Sequence, residues 1–290
     1  MNIAARSIIT GRRQNSWLYF LKKAGRYTAL IIAVLFFLFP IFWITVTAIK
    51  QPGQYYNYPP IWFPKRPTFV HFIAVQKTGL GGYTALKNSF IITICSTVSV
   101  MVLGTLAAYA MARFKTGGRN LAFWVLSQRM LPPIAIVFPL FLMMRIIRWI
   151  DTYQVMILFY TTFNLPFVIW MLRSYFLEIP VDVEESAMVD GCSRIGALVR
   201  VVLPMIMPGV IATAVFAYIF SWTEFLFGVI FSRTRVFTVP VAVSTYFGNE
   251  GQLWGESGVM AVLSMVPVFI IGLAVQKHFA RGLTLGSVKG

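Results

Sequence analysis

Uncharged, apolar stretches long enough to cross a bilayer core recur along this chain. A helix rising 1.5 Å per residue needs about 20 residues to do so. Six stretches qualify: Tyr27 to Ile49, Asn88 to Ala112, Leu121 to Met144, Thr152 to Leu172, Val201 or a few residues later to Ile230, and Ser257 to Gln276. The third is interrupted by Arg129, Pro132, Pro133 and Pro139, and the fifth carries Glu224 near its far end. The pattern predicts an all-α, polytopic membrane protein with six transmembrane helices. A segment 1–26 precedes a six-helix domain 27–276, the one long charged loop, 177–204, joins the fourth and fifth helices, and a tail follows at 277–290.

Composition agrees, since the 290 residues are 58% hydrophobic and only 12% charged, with a mean hydropathy of +0.74, far from the soluble average. The first apolar run follows a leader holding six Lys or Arg, which is too long for a cleaved signal peptide, so it is expected to remain as an anchor. Basic residues favour the cytoplasmic side. The leader, the even-numbered loops and the tail together hold fifteen of the 25 basic residues, so both termini are expected in the cytoplasm, in a bacterial inner membrane. The net charge of +16 lies beside the spans, where anionic headgroups explain it without nucleic acid. Cys95 in a span and Cys192 in an inner loop make no disulfide framework.

No repeat, linker or low-complexity tract divides the chain. The outer segment Gln51 to Leu86 carries Pro52, Pro59, Pro60, Pro64 and Pro67, which argue against regular helix there, and its Tyr55, Tyr56, Tyr58, Trp62 and Phe63 suit either stacking on sugar rings or, more commonly, the bilayer interface. Within the second span Ser89, Thr93, Ser96 and Thr97 recur at helical spacing, while Gly104 and Ala108 form a small-x-x-x-small pair for close helix approach. Hydroxyls on such a face either line a solute path or bond between packed helices. The prolines of the third span and the Asn164-Leu165-Pro166 step of the fourth predict bent helices.

Five of the nine acidic residues, Glu178, Asp182, Glu184, Glu185 and Asp190, crowd into the loop between the fourth and fifth spans. After Pro180, Asp182 can cap a short helix with Glu185 reaching back to it, and carboxylates in a first turn suit the positive helix end. Gly191 supplies a left-handed stop. Ser193 can cap a second helix running through Arg194 and Arg200 to about Val202, before Pro204 limits it. Such a helix–turn–helix is too polar to enter the membrane and too short to fold alone, so it should lie on the cytoplasmic surface and present Ala187, Met188 and Ile195 to a partner.

The stretch Glu185-Ser186-Ala187, three residues, Gly191, nine residues, then Val201-Val202-Leu203-Pro204 resembles the Glu-Ala-Ala loop of ABC importer permeases at matching spacing. Ser186 replaces an Ala and Val201 an Ile. Ser221-Trp222-Thr223-Glu224-Phe225-Leu226-Phe227 resembles a fifth-helix pattern of maltose-type carbohydrate permeases, with Thr223 in place of Asn, and the ending Arg281 to Gly290 is similar to that group's. The resemblance implies a type I importer permease fold and import of a carbohydrate or related polyol. It also implies an ATP-binding cassette ATPase dimer that holds ATP and Mg, a second homologous permease, and an extracytoplasmic solute-binding protein. ATPase coupling then falls to Asp182, Glu184, Glu185, Ser186, Ala187, Asp190, Gly191, Leu203 and Pro204. Candidates for the translocation path are Asn88, Ser89, Thr93, Trp222 and Glu224. The outer loop Tyr246 to Trp254, with Tyr246, Phe247, Asn249 and Glu250, is expected to meet the binding protein.

No Gly-x-x-x-x-Gly-Lys motif occurs, so ATP hydrolysis is expected in another subunit and no cofactor in this one. Glu224, an acidic group inside a span, is either functional or paired with Arg233 or Arg235. An ion-coupled secondary transporter would need ionisable groups near mid-membrane, where only Arg129 and Glu224 qualify. An intramembrane enzyme would need a constellation that His71 and His278, both outside the spans, do not supply.

Overall fold

The computed structural model describes residues 16–77, 81–114, 116–248 and 253–285, whose regular elements are helices, with no strand among them. The helices are α1 (Ser16–Ile49), α2 (Val70–Lys77), α3 (Gly82–Arg113), α4 (Gly118–Ser127), α5 (Pro133–Ile146), α6 (Tyr153–Glu178), α7 (Val181–Val189), α8 (Arg194–Ala197), α9 (Leu203–Met205), α10 (Met207–Trp222), α11 (Leu226–Phe231), α12 (Val239–Gly248) and α13 (Trp254–Leu285).

Four of these contain single helices long and apolar enough to cross a membrane: Tyr19–Ile49, Gly82–Arg113, Tyr153–Glu178 and Trp254–Gln276. The other two expected spans are bent pairs. Asn120–Met130 meets Pro133–Ile146 at 85°, and Arg194–Met205 meets Met207–Trp222 at 84°. The first bend has a covalent cause. A residue before proline is driven to extended backbone, as Leu131 and Pro132 are, at ψ 124° and 119°, and proline donates no amide hydrogen. The fifth run, expected to continue from about Val201 to Ile230, is in three pieces, with a bend at Ile206 and a break at 223–225.

Helix ends lie beyond the apolar runs. α1 starts eleven residues before Tyr27, α3 six before Asn88, and α13 runs to Leu285, so the boundaries at 26/27 and 276/277 fall inside helices. Hydropathy marks the part of a helix that lipid must cover, whereas backbone hydrogen bonding continues into polar turns. The outer segment is likewise part-helical, because α2 forms just after the last of its prolines, Pro67.

α3 and α6 make the most extensive helix pair. Gly104 permits it, for a Cβ there would stand 2.5 Å from Val168 Cγ1, and Ala108 is buried beside it. Three apolar clusters stack along the bundle. One, with Tyr109, Leu172, Phe176, Leu198 and Val202, joins α3, α6 and the turn after α8. A second, with Ile92, Val155, Phe159, Phe227 and Phe231, joins α3, α6 and α11. The third, with Ala48, Val75, Ala85, Ala242, Tyr246 and Met260, closes the end opposite the α7–α9 elbow.

On the hydroxyl face of α3, Ser96 bonds between helices, while the Thr93 and Thr97 hydroxyls are buried without a partner. Ser96 Oγ donates to Ser221 Oγ at 3.3 Å, Asn164 Nδ2 donates to the same oxygen at 3.0 Å, and Thr161 Oγ1 reaches Ser96 O at 3.5 Å. Three helices, α3, α6 and α10, are thus tied by buried polar bonds.

Candidate functional site

The elbow is built from local rules. Ile179 and Pro180 are extended, and α7 begins directly after Pro180. Asp182 and Glu184 occupy its first turn, where carboxylates suit the helix dipole. The expected capping box is not formed: no side chain caps α7, and Asp182 lies inside the helix, its carbonyl accepting from Ser186 Oγ at 2.7 Å. Proline sets the start two residues earlier than a capping Asp182 requires.

The far end of α7 is a Schellman turn. Gly191 N donates to Met188 O at 3.1 Å and Cys192 N to Ala187 O at 3.0 Å, with Gly191 at φ +92°, a conformation that a Cβ disfavours. Ser193 Oγ accepts from Gly196 N at 3.1 Å and caps α8 as expected. The second helix does not stop at Val202: a π turn at Leu198–Val202 passes into α9 through Pro204, and the chain turns only at Ile206.

Glu184 is the pivot of this unit. Its carboxylate points inward, 3% exposed, and accepts from Arg113 Nε at 2.8 Å and from the Tyr109 hydroxyl. Arg113 Nη1 also donates to Ile179 O at 3.1 Å, so the last turn of α3 holds both the entry to α7 and its first turn. Sequence reasoning placed Glu184 in the loop and missed Tyr109 and Arg113. The available signal was an i, i+4 pair on one face at the end of α3, which does not say what that face meets.

With Glu184 and Ala187 turned in, the outer surface differs from expectation. Ala187 is buried and Met188 half-buried, while Val181, Val189, Ile195 and Val199 stand out together with Glu185 and Ser186. Val189 and Ile195 are 87% and 71% exposed. These exposed apolar side chains lie together on a short polar unit.

Of the path candidates, Asn88, Ser89, Trp222 and Glu224 make polar contacts within the fold, and Thr93 does not. Asn88 Nδ2 donates to Arg235 O and Phe237 O at 3.1 and 3.0 Å, and its carbonyl accepts from Tyr153 OH at 2.5 Å. Ser89 Oγ accepts from Val239 N at 2.7 Å. Thr93 is buried with its hydroxyl unpartnered. Trp222 is buried, and Nε1 donates to Ser264 O at 3.1 Å. Glu224 lies in the break between α10 and α11 and pairs with neither Arg233 nor Arg235; its carboxylate accepts from Phe227 N at 3.1 Å and Gly228 N at 3.3 Å, capping α11.

At the end opposite the elbow, Tyr246 is fully buried in α12 and cannot offer its side chain to a binding protein, contrary to expectation. Phe247 is 47% exposed and meets Trp254 edge-on at 5.2 Å, while Asn249 and Glu250 lie outside the described residues.

Two polar knots here escaped the sequence. Asp151 accepts from the backbone N–H groups of Arg233, Thr234, Arg235 and Val236 at 2.9 to 3.2 Å. Burial raises its carboxyl pKa, but those bonds outweigh it and hold the group below the usual range. His71 Nε2 stands 2.8 Å from both Lys50 O and Tyr55 OH, and Nδ1 is 3.3 Å from Glu256, close enough for an ion pair though off hydrogen-bond geometry. Burial first, and Glu256 second, push the Tyr55 hydroxyl up to about 12. Among the described residues no three metal-ligating side chains converge.

Long apolar crossings tied by buried polar bonds, with a polar elbow carrying an exposed apolar face, define a multi-pass helical membrane protein. The family model described as binding-protein-dependent transport system inner membrane component matches residues 100–285. The chain is 34% identical over 264 residues to the trehalose/maltose transport system permease protein of Thermococcus litoralis, covering 90% of this chain and 94% of that one. It is 35% identical over 275 residues to the sulfoquinovosyl glycerol transport system permease protein of Agrobacterium fabrum, covering 94% and 96%. A crystal structure of a bacterial ABC transporter involved in the import of the acidic polysaccharide alginate matches at TM-score 0.73 and 21% identity over 89% of this chain and 96% of that one, which shows the fold.

The chain belongs to the binding-protein-dependent transport system inner membrane component family. It is therefore a permease subunit of an ABC importer, a transport component whose ATPase is a separate subunit and whose family works with a solute-binding protein.

Proposed function

We propose that this permease imports a carbohydrate or related polyol, and that its α7–α9 elbow is the lever through which ATP hydrolysis in the partner subunit drives alternating access. The observation that carries the reading is the elbow's construction: an outward apolar face, held rigid by a Schellman turn and a Ser193 cap, and fastened to α3 through Glu184 and Arg113. A displacement of α7 would then move α3 and, through it, α6. Sugar is supported by the relatives named for trehalose and maltose and for diacetylchitobiose uptake.

In this reading the elbow and both termini face the cytoplasm, ATP and Mg are held by the ATPase dimer, and a second homologous permease completes the pore. The binding protein docks at the end carrying α2 and α12. The test is to reconstitute the chain with the ATPase, partner permease and binding protein expressed from its own gene neighbourhood. Cross-linking Ile195→Cys to the ATPase, with sugar uptake that stops when ATP is withheld, is expected. Uptake by the chain alone without nucleotide would refute it.

A further inference from the structure

Of the two ionisable groups within the apolar runs, Glu224 is used by the fold as a helix cap, and Arg129 has no acidic partner among the described residues. Arg129 lies in the 3-10 turn Gln128–Met130, where the third crossing bends. Its guanidinium carbon is 4.4 Å from the ring centre of Phe220 and 5.2 Å from that of Phe167. Those rings meet edge-on at 5.1 Å, and Phe216 stacks 6.3 Å from Phe220.

Its depth follows from its neighbours. Phe167 is the fifteenth of the 26 residues of α6, so the cation stands near the middle of a crossing about 39 Å long. Ring faces attract a cation without neutralising it. Among the described residues Arg113 pairs with Glu184 and Glu256 lies beside His71; the other acidic groups described lie at the elbow, at Asp151 or in the α11 cap.

Arg129 is also exposed on the surface of the chain. A charge at this depth is poorly tolerated against lipid and is found where helices border water or a partner group. We propose that Arg129 is the charged wall of the solute path: a fixed positive site beside an aromatic shelf of Phe167, Phe216 and Phe220. The rings take the flat face of a sugar, and the guanidinium holds an anionic substituent on it, such as a carboxylate or sulfonate, so the path favours acidic carbohydrates. This rests on the chain being the importer's permease.

The test needs no knowledge of the natural solute. In the reconstituted transporter with Cys95 and Cys192 replaced by serine, a cysteine is introduced by Met130→Cys, a position 80% exposed. Its reaction rates with an anionic sulfonatoethyl and a cationic trimethylammonioethyl methanethiosulfonate are compared. An uncompensated positive wall enriches the anionic reagent roughly tenfold beyond its ratio on a free thiol. Arg129→Gln removes that excess and Arg129→Lys keeps it. If Met130→Cys fails to assemble, Leu131→Cys, at 45% exposure, gives the same comparison.

No labelling by either reagent overturns the proposal, because the position then faces lipid or a sealed contact. An absent excess, or one that persists in Arg129→Gln, overturns it too, because the cation is then neutralised by a partner or the field has another source. ATPase activity stimulated by the binding protein, measured on the same preparations, reports separately whether the chain is working as a permease.

Discussion

Arg113→Gln should free the elbow without unfolding the bundle. The pair it breaks is buried on both sides, with side chains 5% and 4% exposed and a 2.8 Å Nε–Oε2 contact. Removing one partner leaves the other charge buried and uncompensated, which costs about 3–5 kcal/mol in such settings. Because Arg113 also holds Ile179 O, the loss should fall on α7 and its entry. At 1.4 kcal/mol per decade, 3 kcal/mol raises the open population of the elbow roughly 150-fold. Trypsin reads that population when reclosing outpaces cleavage, and Arg194 and Arg200 are the sites within the elbow. On the purified chain in nanodiscs, cleavage there should accelerate by about two decades in Arg113→Gln and in Glu184→Gln. The triple variant Arg113→Met, Glu184→Leu, Tyr109→Phe leaves no buried charge or stranded hydroxyl and should recover most of the protection. Unchanged cleavage in the single variants, or a triple variant as labile as they are, would show that the ion pair does not hold the elbow.

Gly191→Asp should lose solute-stimulated ATPase activity: the position is open, with no atom within 4 Å of where a Cβ would stand, but its φ of +92° strains any side chain by about 1–2 kcal/mol. Gly191→Asn, which tolerates that region better, should retain more of it. Gly104→Ala should lower the Tm of the purified protein, because its Cβ would meet Val168 Cγ1 at 2.5 Å and overpacking costs about 1–3 kcal/mol; adding Val168→Ala should restore part of the loss, and no rescue would mean the contact is elsewhere. Asp151 has a depressed carboxyl pKa in the folded state, so its contribution is complete above the ordinary aspartate range and drains as pH falls through the folded value. Asp151→Asn should therefore lower Tm at pH 6, with the gap to wild type narrowing as the solution is acidified below about pH 4; a gap independent of pH would place the effect outside ionisation.

Apolar run length alone determined that the chain crosses a membrane by helices and roughly where, because a bilayer leaves backbone polar groups no other partner. The elbow was legible for the same local reason: the Gly191 stop and the Ser193 cap are satisfied by residues within five positions of themselves. The spacing from Glu185 to Pro204 also carried the family. What the sequence could not decide is where a side chain points once helices meet. Ala187 was expected outward and is buried, Tyr246 was expected at a surface and fills a core, and Glu224 was expected in a path or an ion pair and caps α11. Glu184 finds Arg113 across 71 residues, and Asn88 finds Phe237 across 149. Those partnerships depend on the packing of α3 against α6 and of the far-end helices against α3, which hydropathy and capping rules, acting over a few residues at a time, do not encode.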